Sequence, residues 1–195
     1  MVSRKRSDEF AGPEAENMSI TTRNGDGGRT RLYSGEDVAK DAPEVEACGD
    51  LDELGSLLGV ARLHVALPET REALLDLQRM LFVVAAEAAT AHDHVDMLVV
   101  RVDETMVEQL DRACADLEAR IAMPRGFVIA GGNAAGAYLD HARAVSRRCE
   151  RRVIALSRER KMENPALLAW VNRLSDYLWL LARLEEGDAR MPKDG

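Results

Sequence analysis

Five arginines fall within the ten residues of RAVSRRCERR (143–152), with Glu150 among them. The wider stretch 143–161 carries eight Lys or Arg against two Glu, a local charge of +6 in a chain whose net charge is −8. Positive charge is therefore gathered here against the trend of the whole. Arg143, Arg147 and Glu150 stand at i, i+4 and i+7, one above another on a helix face separate from the apolar stripe Ala142, Val145, Cys149, Val153 and Leu156. Two forked guanidiniums one turn apart suit a chain of phosphates, and a carboxylate beside them can hold a hydroxyl, a cation or an arginine. The same residues also read as an exposed helix on which Glu150 serves as an ion-pair partner. Arg148, Arg151 and Arg152 fall on other faces, and Arg158 to Lys161 read as a solvated end. Repulsion within the cluster costs stability unless counter-charge is supplied, which points to a ligand or a partner subunit.

A second candidate is TTRNGDGGRTR (21–31). Glycines let successive backbone N–H groups converge on one concavity, and Thr and Arg add donors for phosphate oxygens. Asn-Gly and Asp-Gly are equally signals of a hairpin turn. The pattern G-x-x-x-x-G-K-[ST] is absent, which excludes a P-loop. Asp50, Asp52 and Glu53 read either as acids placed by the dipole at the start of a first helix or as partners for Arg143 across an interface. Asn172 and Asp176, one turn apart in VNRLSDYL, either face a site or share a surface with Arg173. GFVIAGGNAAG (126–136) is a flexible connection or a close approach of backbone to ligand, with Phe127 as an apolar face. His92-Asp93-His94 lacks further ligands at metal-binding spacing and reads as a surface loop.

The elements that must position these groups are helical. Five stripes repeat at steps of three and four: Leu51 to Val65, Leu74 to Ala88, Met106 to Ile121, Leu139 to Leu156, and Leu167 to Leu181. Pro68 precedes the second, Asp103 can cap the third, Asn164-Pro165 opens the fifth and Gly187 closes it. The expectation is an all-α, antiparallel five-helix bundle with an irregular glycine-rich arm over residues 18–43. VDMLVVRV (95–102) fits neither period. One domain over 18–190 is expected, with a disordered tail at 1–17, a short tail at 191–195, and Met18 as an alternative start.

Composition narrows the classes. Apolar residues make up 46% and charged residues 31%, ordinary proportions for a soluble globular chain. An isoelectric point near 5.1 argues against general nucleic-acid binding, and no apolar run approaches membrane-span length. The N-terminus is polar and mixed in charge, unlike a secretory signal or a mitochondrial presequence. Cys48, Cys114 and Cys149 cannot all pair and read as reduced core residues, which places the protein in the cytoplasm.

In combination, TRNGDGGRTRLYSGE, VAKD, GDLDEL, FVIAGG, ARAVSRRCERRV and NRLSDYLWLLAR resemble the PduO-type ATP:cob(I)alamin adenosyltransferases, in the family's order over residues 21–183. The resemblance implies a homotrimer with ATP and magnesium between adjacent subunits. It implies transfer of the 5′-deoxyadenosyl group of ATP to the cobalt of reduced cobalamin, with release of triphosphate. Thr22, Arg23, Asn24, Gly25 and Asp26 then belong to the ATP loop, Thr30 and Arg31 to a second phosphate contact, and Lys40 to the triphosphate. Arg147, Arg148, Glu150 and Arg151 match the nucleotide-binding turn, and Asn172 an asparagine that contacts the nucleotide. Arg143 and Asp52 match a salt bridge across the subunit interface near the corrin. Phe127 matches the aromatic residue that displaces the lower axial base. Arg147 and Lys40 are expected to stabilise the leaving triphosphate.

The chain departs from the family at Ala130, often proline, at Gly55, often asparagine, and at Asp140, frequently histidine. Two other readings accompany the first: a protein of the same fold that delivers adenosylcobalamin to a client enzyme, and a helical scaffold whose arginine face binds nucleic acid or an acidic partner. A reductase partner is also implied for the enzyme.

Overall fold

A computed structural model describes residues 21–90, 92–160 and 164–187. The tails expected at 1–17 and 191–195, the boundaries at 18 and 190, and Lys161 lie outside the described residues. Five α-helices account for most of the fold: α1 (Pro43–His64), α2 (Pro68–Ala88), α3 (Glu104–Glu118), α4 (Ala134–Arg160) and α5 (Pro165–Glu186). The punctuation expected at Pro68, Asp103, Asn164 and Gly187 sets most of their limits, and Pro43 starts α1 earlier than the sequence reading placed it. Pro43 and Pro68 open α1 and α2, where the missing N–H has no helical partner to lose. Asp103 caps α3 by accepting from Met106 N at 2.9 Å, and Asn164 caps α5 by accepting from Ala166 N and Leu167 N. Gly187, at φ 69, ends α5.

The expected stripes form the core. Leu54, Leu58, Leu74, Leu139, Leu178 and Val153 are fully buried, with Trp170 among them. The third stripe is thinner: Leu110 and Leu117 are buried, Met106 packs at the edge, and Ile121 packs from beyond the end of α3. α4 is central, packing against both α1 and α5, while α2 covers α1 and α3 covers α5. Contacts across each pair run in opposite directions along the chain. Arg148, Arg152 and Arg160 of α4 meet Asp50, Glu46 and Glu44 of α1 in descending order. Between α4 and α5, Asp140 meets Arg183 and Arg147 meets Ser175. Each pair is antiparallel.

The arm holds more order than expected. Arg29–Arg31 (β1) and Asp37–Ala39 (β2) form an antiparallel hairpin with Thr30 opposite Val38. Its turn lies at 32–36, where Gly35 takes φ 89, and not at Asn24-Gly25 or Asp26-Gly27. Leu32 is buried and Glu36 pairs with Arg160, so the hairpin is fastened to the end of α4. His92–Met97, which joins the expected surface loop to the start of the stretch that fitted neither period, is a 3-10 helix with Asp93 and His94 exposed. Beyond it the buried Glu87 carboxylate accepts from Val102 N, Arg101 and Asn164 Nδ2, which ties the connection to the start of α5.

All three cysteines are free, and burial pushes the thiols of Cys48 and Cys114 up to about 11 and that of Cys149 to about 12. Neutral thiols at pH 7.5 should alkylate slowly in the native protein and all three rapidly after unfolding, as counted by mass spectrometry. Leu178→Ala should lower unfolding free energy by about 2–5 kcal/mol in denaturant titration, because its site cannot collapse between packed helices.

Candidate functional site

The arginines of α4 separate according to which neighbour they face. Arg148 lies 3.3 Å from Asp50 and pairs with Glu53, and Arg152 lies 2.7 Å from Glu46 and 3.6 Å from Asp50. Arg160 pairs with Glu44 and with Glu36 at 3.0 Å, so it is held rather than solvated as expected. Only Arg158 and Glu159 of the described end are exposed. Arg148, expected in the nucleotide-binding turn, faces α1. The acids it meets lie inside α1, which begins at Pro43, and not at its first turn; their placement answers the arginines rather than the helix dipole. Each of the partly exposed Arg148 and Arg152 pairs contributes at most about 1 kcal/mol, but together they remove the repulsion along that flank. A continuous basic face of the kind a nucleic-acid scaffold needs is therefore absent among the described residues.

The opposite flank faces α5, where Arg147 meets a neutral partner. Arg147 is exposed, with Nη1 3.5 Å from Ser175 Oγ; that hydroxyl donates to Asn172 O at 3.2 Å. Below it an open groove of about 480 Å³ runs between the helices, lined by Glu150, Ile154, Ser157, Arg158, Leu168 and Asn172, among others. Arg151 is exposed in the same turn. Asp176 is held 3.2 Å from Arg173, which also pairs with Asp111 of α3. The two candidates on α5 thus divide: Asn172 faces the groove and Asp176 belongs to a surface ion pair.

The glycine loop forms a second cluster. Asp26 N donates to Arg23 O and Gly28 N to Gly25 O, both at 3.2 Å, giving two successive turns. Asn24 N donates to Thr22 Oγ1 at 3.5 Å, and Arg23 sits at φ 59, a left-handed conformation that costs a non-glycine residue about 1–3 kcal/mol. Lys40 N closes the loop by donating to Gly28 O at 2.9 Å. The Lys40 ammonium lies so close over Gly25 that a Cβ there would meet Nζ at 2.6 Å. Thr30 and Arg31 follow on β1, with Arg29 held 2.7 Å from Asp37. The Lys40 ammonium is thereby set against a tight glycine turn that also carries Arg23, a local cationic centre an anion could meet.

The remaining candidates are Phe127, Arg143 and Asp52. Phe127 is 93% exposed in the loop before α4, an unusual place for an aromatic ring with no partner. Arg143 Nε lies 3.6 Å from Asp140 Oδ1 on its own helix. Asp52 is exposed at a groove between α1 and α2 lined by Leu51, Gly55, Leu81 and Phe82. A side chain at Gly55 would meet only Leu81 at 3.8 Å, so the departure there removes bulk without creating strain.

Comparison with known proteins decides among the readings. The family model described as cobalamin adenosyltransferase matches residues 20–185. The chain belongs to the cobalamin adenosyltransferase family. A corrinoid adenosyltransferase of Citrobacter freundii is 40% identical over 167 residues, covering 86% of this chain and 94% of the relative. Against the corrinoid adenosyltransferase PduO of the same organism identity is 36% over 172 residues, 88% of this chain, which spans only 51% of that longer protein. Among solved structures, a variant PduO-type ATP:corrinoid adenosyltransferase from Lactobacillus reuteri, complexed with cobalamin and ATP, matches with TM-score 0.81 and 28% identity over 90% of this chain and all of that one. A second variant of that enzyme, complexed with ATP, matches with TM-score 0.77 and 30% identity, over 85% and 93% of the two chains.

The sequence pattern singled out both stretches but missed Ser175, whose contact with Arg147 appears only when α5 lies against α4. It also missed Arg183 and Glu186, which read as a helix end. Gly25→Ala should displace the Lys40 ammonium and weaken ATP binding about tenfold by calorimetry, roughly the loss of one charge-assisted contact. Gly27→Ala, where a Cβ meets open space, should bind ATP as wild type does.

Proposed function

We propose that the protein transfers the 5′-deoxyadenosyl group of ATP to the cobalt of a reduced corrinoid, giving adenosylcobalamin and inorganic triphosphate. The observation that carries this reading is the divided arginine helix. One flank is neutralised by α1, while on the other Arg147 meets a serine hydroxyl and Glu150 and Asn172 line a groove, in a chain that matches the family over residues 20–185. The electron pair of cobalt(I) forms the new cobalt–carbon bond as the bond from the 5′ carbon to triphosphate breaks. The nucleophile is the substrate itself, so no serine, cysteine or histidine is required. The protein's own task is to orient the nucleotide and stabilise charge on the leaving triphosphate.

In this reading the loop Thr22 to Asp26, Thr30, Arg31 and Lys40 holds the phosphates, while Arg147, Glu150, Arg151 and Asn172 hold the nucleotide from α4 and α5. The two clusters are halves supplied by adjacent subunits of a homotrimer. Arg143 then reaches Asp52 of a neighbouring copy near the corrin, and Phe127 occupies the lower face of cobalt, which eases formation of the reduced state. Magnesium enters with the triphosphate: among the described residues no three His, Cys, Asp or Glu side chains converge, and Glu150 is the carboxylate lining the groove. No helix among the described residues is long and apolar enough to cross a membrane. A cytoplasmic setting, a reductase that supplies cobalt(I), and an adenosylcobalamin-dependent client enzyme complete the proposal.

Anaerobic incubation of reduced cobalamin with ATP should yield adenosylcobalamin, read by its spectrum, and stoichiometric triphosphate. Arg147→Ala should retain its circular dichroism while kcat/KM falls about 10²- to 10³-fold. Wild-type turnover in that variant would remove Arg147 from the mechanism.

A further inference from the structure

The C-terminal end of α5 carries a buried ion cluster that no step above uses. Arg183 is 2% exposed, and its Nη2 lies 2.6 Å from Asp140 Oδ2 and 3.1 Å from Glu186 Oε2. The Trp179 ring lies 5.3 Å from the guanidinium carbon, and Arg143 approaches the other oxygen of Asp140. Two carboxylates and two guanidiniums thus form one chain, with the Asp140, Arg183 and Glu186 side chains buried. A side chain held in this way has one orientation, because leaving it would strand a charge away from water.

The outer oxygen of Glu186 is directed at the loop that carries Phe127. Glu186 Oε1 accepts from Gly132 N at 2.8 Å. A Cβ at Gly132 would come 2.9 Å from the Glu186 carboxyl carbon, and one at Gly136 closer still. Neither glycine takes a left-handed φ, so the backbone conformation does not demand glycine at either position. The carboxylate does, since it occupies the volume a side chain would need. The adjacent residues reinforce the joint. Asn133 Nδ2 donates to Glu185 O at 2.7 Å, and the Glu185 carboxylate accepts from Ala66 N and Leu67 N at the turn between α1 and α2.

We infer that Glu186 is a positioning residue for the corrinoid: its carboxylate, paired with an Arg183 that Asp140 holds, anchors the loop through Gly132 and fixes where Phe127 projects. The inference rests on the reading that Phe127 meets the corrinoid. It also gives Asp140 a role, joining Arg143 and the Phe127 loop to the same buried arginine.

The test uses the full-length protein and two readouts. Hydrogen–deuterium exchange over 126–133 reports the anchor itself, and KM for reduced cobalamin, measured beside KM for ATP, reports its consequence. Glu186→Ala leaves Arg183 paired with Asp140. It should speed exchange of the loop about tenfold, the loss of one charge-assisted hydrogen bond. KM for cobalamin should rise severalfold while KM for ATP holds. Glu186→Gln keeps an acceptor for Gly132 N and should restore both. Gly132→Ala keeps every charge in place, carries the same expectation as Glu186→Ala, and serves if that variant folds poorly. Unchanged exchange in the folded variants overturns the anchor. Faster exchange with unchanged cobalamin KM overturns the positioning role, and Phe127→Ala identifies the cause. If Phe127→Ala alone raises cobalamin KM, Glu186 is not the positioning group. If neither substitution does, the loop does not meet the corrinoid and the reading of Phe127 fails with the inference.

Discussion

The central constraint is that α4 must bury an apolar stripe on two neighbours while carrying arginines on both flanks. Val145, Cys149, Val153 and Leu156 face inward, so every guanidinium has to leave sideways, toward α1, toward α5 or into solvent. On the α1 side, Glu44, Glu46, Asp50 and Glu53 receive Arg160, Arg152 and Arg148. On the α5 side Arg147 meets a serine hydroxyl, and Asn172 and Glu150 face the groove. An arginine beside neutral donors and acceptors keeps its field available to an incoming anion, whereas one between two carboxylates does not. One helix therefore holds the bundle together on one flank and, in the proposed function, offers a phosphate site on the other.

The same economy appears at the ends of the bundle. Arg160 closes α4 and fastens the hairpin through Glu36, so the arm carrying Lys40 starts from a fixed base. Glu185 and Glu186 close α5, holding the turn between α1 and α2 and the loop before α4. Both segments outside the helices that are expected to contact substrate are tied to a helix terminus through a carboxylate. Loops placed this way can present backbone N–H groups and an exposed ring, which regular helices cannot, and still keep a defined position.

The helices were legible because burial imposes a period of 3.6 on apolar residues, and the caps at Asp103 and Asn164 stood where side chains can reach free N–H groups. The glycine loop was legible as a possible anion cradle, and the structure adds the Lys40 ammonium stacked over Gly25. Other features depend on which helices are neighbours. The sequence placed Arg148 beside Arg147, and only the packing of α1 turns the two in different directions. Asp50 and Glu53 resembled first-turn acids until Pro43 set the start of α1 earlier. Gly132 and Gly136 looked like a flexible lead; their small size answers a carboxylate some 50 residues away, which no local pattern encodes.

The division of α4 is tested most directly by calorimetric titration of ATP into Arg147→Ala and Arg148→Ala, side by side with the unaltered protein. The expected result is an affinity loss of about tenfold or more for Arg147→Ala, with Arg148→Ala within about twofold of wild type. Equal losses in the two variants, or a larger one in Arg148→Ala, would contradict it.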